Sequence, residues 1–429
     1  MNEVNVIRES NSCKRLTICF VCLTSEIGGL TTLVSRRAAW CKKHGLNSII
    51  ITRGGPWLDL YKNSGSDTIV LTDREHDFPV AIVNEYYNTI NSIAARISKY
   101  DPLYFESYCS KTMFLTSTLL NLFPRAIGGG YIVQDKAFID MPRQIVKTLV
   151  DNGLIYSMNE ACFKAHELSL GASFTNKKIF PLPIEFNGTD IPGDTCFNEY
   201  TIVTIARLTK MKGYISGLIS EMPKALEKNN KIKLIIVGSG EEHGQLTRTV
   251  KKLNLHKNVV FTGSIPENEL GNVLRKAHVY VGMGTTLLIA ARMKIPCVMA
   301  CPWTNEAVTH GFFGEKCGFE VGEIIEGEPI YKCWDKIFEI FNSKSLRDHI
   351  GNIGKTKVAK DFDEDVVMVN QIKYFNTLNK SLINVPPPAF SITQGEFRRF
   401  IKRFCYGNDK AIQIGRIAHK FLMQIKNKL

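Results

Sequence analysis

The stretch TIVTIARLTKMKG, residues 201–213, runs from Thr201 to Ile205 in β-branched residues, reaches Arg207, and meets Lys212 and Gly213 five and six residues later. Such a run reads as a buried strand, so the two cations stand where the strand stops and a helix opens. A guanidinium, an ammonium and helix amides converging on one point suit a diphosphate, whose negative charge grows as a bond to it breaks. Taken alone, the pair fits a solvated cationic surface equally well. The neighbouring stretches change that weighing. KLIIVGSGEEHGQL tips a strand with Gly238 and Gly240, and NVVFTGSIPENEL repeats the plan with Thr262 and Gly263. AHVYVGMGTTLLIAARMKIPCVMA places Gly282 and Gly284 ahead of a helix opened by Thr285, Thr286 and Leu287. Glycine lets a ligand approach the backbone, and the free amides of a first turn attract an anion. Strand ends tipped in order by glycine or a cation describe one crevice along one sheet edge.

Elements that can position these residues recur along the chain. LTICFVCL, NSIIIT, DTIVL, LYFES, YIVQD and NGLIYSM are strand candidates separated by helix-length amphipathic stretches. A polar stretch, IEFNGTDIPGDTCFNEY, divides them from TIVTIA, IKLIIVG, NVVFTG, VYVGM and PCVMA. Alternation of this kind is the pattern of parallel sheets covered by helices. The expected fold class is α/β, with two Rossmann-like domains: residues 1–186, a linker at 187–199, and residues 200–380, closed by a helix near DFDEDVVMVNQIKYFNTLNK. NVPPPAF then breaks the chain, and residues 384–429 form a tail.

The composition of the 429 residues, 44% hydrophobic and 22% charged, allows a large core. MNEVNVIRESNSCKR holds no apolar leader core and no run of about 20 apolar residues occurs, so a cytoplasmic protein is expected. The twelve cysteines are scattered, with one Cys-x-x-Cys at Cys19 and Cys22 inside an apolar run, and read as reduced, mostly buried thiols. His44, His166, His243 and His310 show no ligand spacing, so no metal or catalytic triad is proposed. Glu106 and Glu306 stand at strand ends and read first as surface carboxylates. The net charge of +13 is concentrated at the end: Asn384 to Leu429 carries nine Lys or Arg against Glu396 and Asp409. There Phe397, Phe400, Ile401 and Phe404 fall at helical spacing among arginines and lysines, and Ile414, Ile417, Phe421, Ile425 and Leu429 form a second stripe.

The order ARLTKMKG, LIIVGSG, VVFTG, VGMG and KIP resembles the retaining glycosyltransferases of the GT-B fold, specifically glycosyltransferase family 4 (group 1). The family's Gly-Arg-Leu-x-x-x-Lys-Gly motif is matched at Arg207, Leu208, Lys212 and Gly213. CLTSEIGGLTTLVSRRAAWCKKHGLNSIIIT is similar to its first strand, Gly-Gly loop (Gly28, Gly29) and long helix. The resemblance covers residues 16 to about 380. It implies two domains facing a central cleft and transfer of a hexosyl group from a nucleotide-diphosphate sugar to a glycan or lipid-linked acceptor, in cell-surface polysaccharide assembly. Arg207 and Lys212 would then stabilise the leaving diphosphate in place of a metal. The Gly28–Gly29 loop would meet it from the other domain, Thr262 and Gly263 would lie near the base, and Gln134 and Asp135 would approach the donor sugar. Glu306 is carried as a further acceptor or sugar contact.

One departure opens a second reading. The family's two glutamates, eight residues apart around the Gly-x-Gly turn, fall here on Val281 and Ile289. Either the donor is gripped in another way or the chain is a catalytically degenerate binding or scaffold subunit. For the tail, residues 396–429, the pairing of an apolar stripe with a Lys/Arg face fits an anionic membrane surface at the inner leaflet or packing on the second domain. Nucleic-acid binding is the weaker reading, because no recognition motif accompanies the charge.

Overall fold

The computed structural model describes residues 16–24, 28–55, 57–71, 83–100, 103–120, 122–135, 137–185, 200–266 and 269–378. The expected linker at 187–199 and the basic tail at 384–429 lie outside the described residues. In the first domain the elements alternate: β1 (Thr17–Val21), α1 (Gly29–Lys43), β2 (Asn47–Arg53), α2 (Leu58–Asn63), β3 (Asp67–Leu71), α3 (Val83–Ile97), β4 (Leu103–Ser107), α4 (Ser110–Leu120), β5 (Ile127–Ile132), α5 (Arg143–Asp151), β6 (Ile155–Ser157) and α6 (Glu160–Leu170). All six strands are parallel, in the order β3-β2-β1-β4-β5-β6. β1, β4, β5 and β6 are buried along their whole length, as strands covered on both faces must be. The order reverses between β1 and β4, and in such sheets ligands bind beyond the carboxyl ends of the strands at that reversal.

The second domain comprises β7 (Tyr200–Ile205), a 3₁₀ turn (Lys210–Lys212), α7 (Tyr214–Lys228), β8 (Ile232–Val237), α8 (His243–Lys252), β9 (Val259–Gly263), α9 (Leu270–Leu274), β10 (Val279–Gly282), α10 (Thr285–Arg292), β11 (Cys297–Ala300), β12 (Val308–Phe312), β13 (Tyr331–Lys332), α11 (Cys333–Asn342) and α12 (Lys344–Lys357). Its sheet runs β13-β12-β11-β10-β7-β8-β9, parallel from β11 to β9 and antiparallel at β12 and β13. The reversal here lies between β7 and β10, so Arg207 and the Gly282-Gly284 turn leave the sheet side by side.

A π-helical turn (Val358–Phe362) leads into the closing helix α13 (Glu364–Thr377). This helix was expected with the second domain, yet its side chains pack on the first. Phe375 stacks on Tyr104 at 3.7 Å, Tyr374 OH donates to Gly153 O at 2.8 Å, and Trp40 Nε1 donates to Asp365 at 2.6 Å. Where the chain crosses back, Ile184 N–H donates to Phe362 O at 2.8 Å and Glu364 N–H to Ile184 O at 3.0 Å. Ile184 at the end of the first domain and the return of the chain at Phe362–Glu364 therefore lie side by side.

Candidate active site

Two hydrogen bonds hold the Arg207 segment against the loop after β8: Ala206 N–H to Val237 O and Leu208 N–H to Ser239 O, both 2.9 Å. This close approach accounts for two of the glycines. A Cβ on Gly238 would fall 1.9 Å from Ala206 O, one on Gly240 2.3 Å from Leu208 O, and φ is 130° and 155° at the two positions. Thr286 anchors the same strand end from the other side, its Oγ1 donating to Ile205 O at 3.0 Å beside Tyr280 OH at 2.7 Å. Arg207 is exposed, while the strand behind it is buried from Thr201 to Ile205.

The 3₁₀ turn brings Lys212 back beside it. Lys212 N–H donates to Thr209 O at 2.8 Å, and Gly213 packs so tightly on the loop after β11 that a Cβ would lie 2.5 Å from Thr304 O. Lys212 is half-buried. Burial pulls its ammonium down to about 8; the Glu323 carboxylate opposes that fall and the neighbouring Arg207 charge adds to it. An anion entering here would restore the full charge.

Gly28 closes the site from the first domain. A Cβ built on it would lie 3.9 Å from Arg207 Nη1, so the reversal points of the two sheets face each other. Thr31 Oγ1 accepts from Gly28 N–H and donates to Gly28 O, both at 2.8 Å, which caps α1. Gly29 faces open space. On the second domain Gly284 has φ 68° and open space where a Cβ would be, and its N–H donates to Val321 O at 2.7 Å. Leu287 N–H, expected to be free, closes a turn on Gly284 O at 3.1 Å. The first-turn amides of Thr285 and Thr286 have no intrahelical acceptor within reach. Gly282 is buried, with its Cβ position 2.5 Å from Tyr280 OH.

The remaining candidates lie further out. Thr262 is exposed and Gly263, at φ 73°, accepts the Gly238 N–H at 2.8 Å. Gln134 is exposed and Asp135 half-buried beyond β5, where Asp135 acts electrostatically on Cys162 and His166. Glu306 is exposed on the loop after β11, and its backbone carbon lies 2.7 Å from the Cβ position of Gly217 in α7. Val281 and Ile289 are 0% and 6% exposed and belong to the core.

Glu106 is not a surface carboxylate. It is fully buried, paired with Arg37 through both carboxylate oxygens, and accepts from Tyr108, Tyr156 and Gln371. Arg37 also donates to Gln371 Oε1 at 2.6 Å, tying α1, β4 and α13 together. Sequence reasoning missed Glu323 and Asn159. Asn159 is visible in retrospect as a helix cap before EACF: its Oδ1 accepts from Cys162 N–H at 2.9 Å. Glu323 has no pattern around it. Burial pushes its carboxyl up, against the hydrogen bond from Val321 N–H at 2.7 Å. Among the described residues no group of three or more His, Cys, Asp or Glu is placed to hold a metal ion, and the nine described cysteines are free.

Comparison with known proteins bears on this geometry. Residues 196–357 match the family model described as Glycosyl transferases group 1, the segment that carries Arg207, Lys212 and the glycine turns. The chain is 25% identical over 189 residues to the capsular polysaccharide biosynthesis glycosyltransferase CapM of Staphylococcus aureus, covering 43% of this chain and 47% of CapM. It spans less than half the length of the curated relatives it matches. Among solved structures, a glycosyltransferase of Rickettsia africae superposes with a TM-score of 0.63 at 13% identity, covering 87% of this chain and all of that one. Anabaena Alr3699/HepE, solved in complex with UDP and glucose, superposes with a TM-score of 0.62 at 15% identity, covering 84% and 99% of the two chains. The fold of the chain is therefore that of GT-B glycosyltransferases. Among its described residues no helix is long and apolar enough to cross a membrane.

Proposed function

We propose that the protein transfers a hexosyl group from a nucleoside-diphosphate sugar to an acceptor hydroxyl. The observation that carries this reading is the meeting of Arg207 and Lys212 with the Gly28 loop at the facing reversal points of two sheets. In that space the diphosphate lies between two cations and the amino ends of α1 and α10, whose partial positive charge adds to theirs. As the bond from the sugar to the diphosphate breaks, negative charge grows on the leaving oxygens. Preorganised cations at that point lower the barrier. The half-buried Lys212, whose charge is weakened by burial, gains most from the new charge.

The group 1 match and the UDP and glucose bound by the Anabaena neighbour support a nucleotide-sugar donor. The capsular role in the name of the S. aureus relative supports a glycan or lipid-linked acceptor in polysaccharide assembly. Assignment to family 4, and with it retention of configuration, rests on the motif order alone. Attachment to an anionic inner leaflet through residues 396–429 rests on the amphipathic basic sequence.

A degenerate binding subunit is the second reading, favoured by the apolar, core-packed Val281 and Ile289. A panel of UDP- and GDP-sugars separates the two. The transferase releases nucleoside diphosphate from one of them in the presence of acceptor glycolipids. A degenerate subunit is stabilised thermally by UDP or GDP and releases none.

A further inference from the structure

The sheet of the second domain has a second rim. Ala277 and His278 lead into β10, and Lys294, Ile295 and Pro296 lead into β11, so both segments stand at the amino ends of the strands, across the sheet from the Gly282–Gly284 turn. With Arg347 and Asn352 of α12 they line a cavity of about 310 Å³. Pockets that enclose a small organic molecule begin at about this volume. α10 lies between the cavity and the donor crevice: the helix opens beside Gly284 and runs eight residues, about 12 Å, before the chain reaches Lys294.

The lining side chains give this cavity a positive charge. Arg347 is half-buried and Lys294 exposed, and among the described residues neither forms an ion pair with a carboxylate. Asp348, the acid on the rim, is taken by Lys344 Nζ at 2.8 Å. His278 adds a neutral donor. Its Nδ1 accepts from Thr201 N–H at 3.1 Å, which leaves the ring proton on Nε2, and burial with the neighbouring Arg347 charge pulls the imidazole down to about 4. Lys294 is also held in an uncommon backbone state. It lies just beyond the carboxyl end of α10 at φ 61°, where glycine is the usual residue. α12 makes room for it: a Cβ on Gly351 would fall 2.1 Å from Lys294 O. A lysine whose left-handed backbone is imposed by its surroundings points to a role for the side chain, since a glycine there would hold the same turn without strain.

We propose that this cavity binds a phosphate monoester of hexose size, at a site separate from the donor crevice. At neutral pH such a group carries close to two negative charges, which Arg347 and Lys294 balance. The guanidinium presents two parallel N–H groups to a pair of phosphate oxygens, the flexible ammonium serves as a point charge, and His278 Nε2–H supplies a further donor. Asn352, whose amide both gives and takes hydrogen bonds, suits a sugar hydroxyl, and Ile295 and Pro296 form the apolar wall beside the ring. The site stands independently of the transferase reading.

Calorimetric titration of the full chain with a panel of hexose 1- and 6-phosphates, inorganic phosphate and the unphosphorylated hexoses tests it. The wild type is expected to bind one equivalent of a hexose phosphate and to ignore the free sugar. Arg347→Gln and Lys294→Gly should each weaken that binding roughly tenfold to a hundredfold, the worth of one charge-assisted hydrogen bond. Glycine accepts the left-handed backbone, so Lys294→Gly should melt close to wild type and its loss of binding is not a loss of fold. Arg207→Ala should bind the hexose phosphate within about threefold of wild type. Absence of binding by every hexose phosphate at millimolar concentration overturns the proposal. Binding that survives both cavity variants and is lost in Arg207→Ala overturns it as well, because the phosphate then occupies the donor crevice. So does an affinity for inorganic phosphate equal to that for any hexose phosphate, because the cavity would then recognise the oxyanion alone.

Discussion

Replacing Arg37 with Ala removes the hub of the contact between the first domain and α13. The guanidinium pairs with Glu106, donates to Tyr108 at 3.0 Å and Gln371 at 2.6 Å, and reaches Met368 Sδ at 3.4 Å. It also lies over the rings of Phe20 and Tyr131 at 5.1 and 5.3 Å. Both partners of the ion pair are at most 1% exposed, so the truncation leaves a buried carboxylate whose remaining partners are two phenols and an amide. Breaking a buried pair in this way costs about 3–5 kcal/mol, or roughly 6–20 °C in melting temperature at about 2–4 °C per kcal/mol. Adding Glu106→Gln to Arg37→Met should recover part of the loss, because no unpaired charge remains. Differential scanning calorimetry of the variants decides the matter. A melting temperature within about 1 °C of wild type for Arg37→Ala would refute the reasoning.

Two further outcomes follow from displaced acidities. Because burial brings the Lys212 ammonium down to about 8, UDP or GDP affinity should be flat below that pH. Above it, affinity should fall by up to about tenfold per unit as binding has to take up a proton; calorimetry in buffers of different ionisation enthalpy would detect the uptake, and Lys212→Met should abolish it. Burial and Glu185 push the Glu364 carboxyl up to about 7, against Lys43 and with Asp365 and Asp363 adding to the rise. An acid with a raised folded pKa stabilises the fold fully below its unfolded value, about 4.3, and loses that contribution as pH rises through about 7. Glu364→Gln should therefore raise the melting temperature at pH 8 and leave it nearly unchanged near pH 4; equal shifts at both pH values would contradict the assignment.

The alternation of apolar runs made the parallel strands of both sheets legible, since a strand buried on two faces must be apolar throughout. β5 was legible only from Tyr131 onward. Before it the strand reads IGGG, and glycines ordinarily weaken a strand. The structure uses them for close approach: a Cβ on Gly129 would lie 2.4 Å from Leu154 O. β12, with His310 and Gly311 inside it, and the two-residue β13 carry too little pattern to be read. Arg207 and Lys212 were legible because a cation at a strand end stands out locally. Glu106 was misread because its partners, Arg37 and Gln371, come from 69 residues before it and 265 after. Glu323 was missed for the same reason, its setting being made by Gly284, Lys212 and Asn159 from three other segments.

The central claim is that Arg207 and Lys212 stabilise a departing diphosphate. Single-turnover release of nucleoside diphosphate from the wild type's own nucleotide-sugar, compared among wild type, Arg207→Ala and Lys212→Ala, measures it directly. The account predicts that each variant releases the diphosphate roughly 10²–10³ times more slowly. Because Arg207 is exposed, its variant should keep the wild-type melting temperature. Release by both variants at the wild-type rate would contradict it.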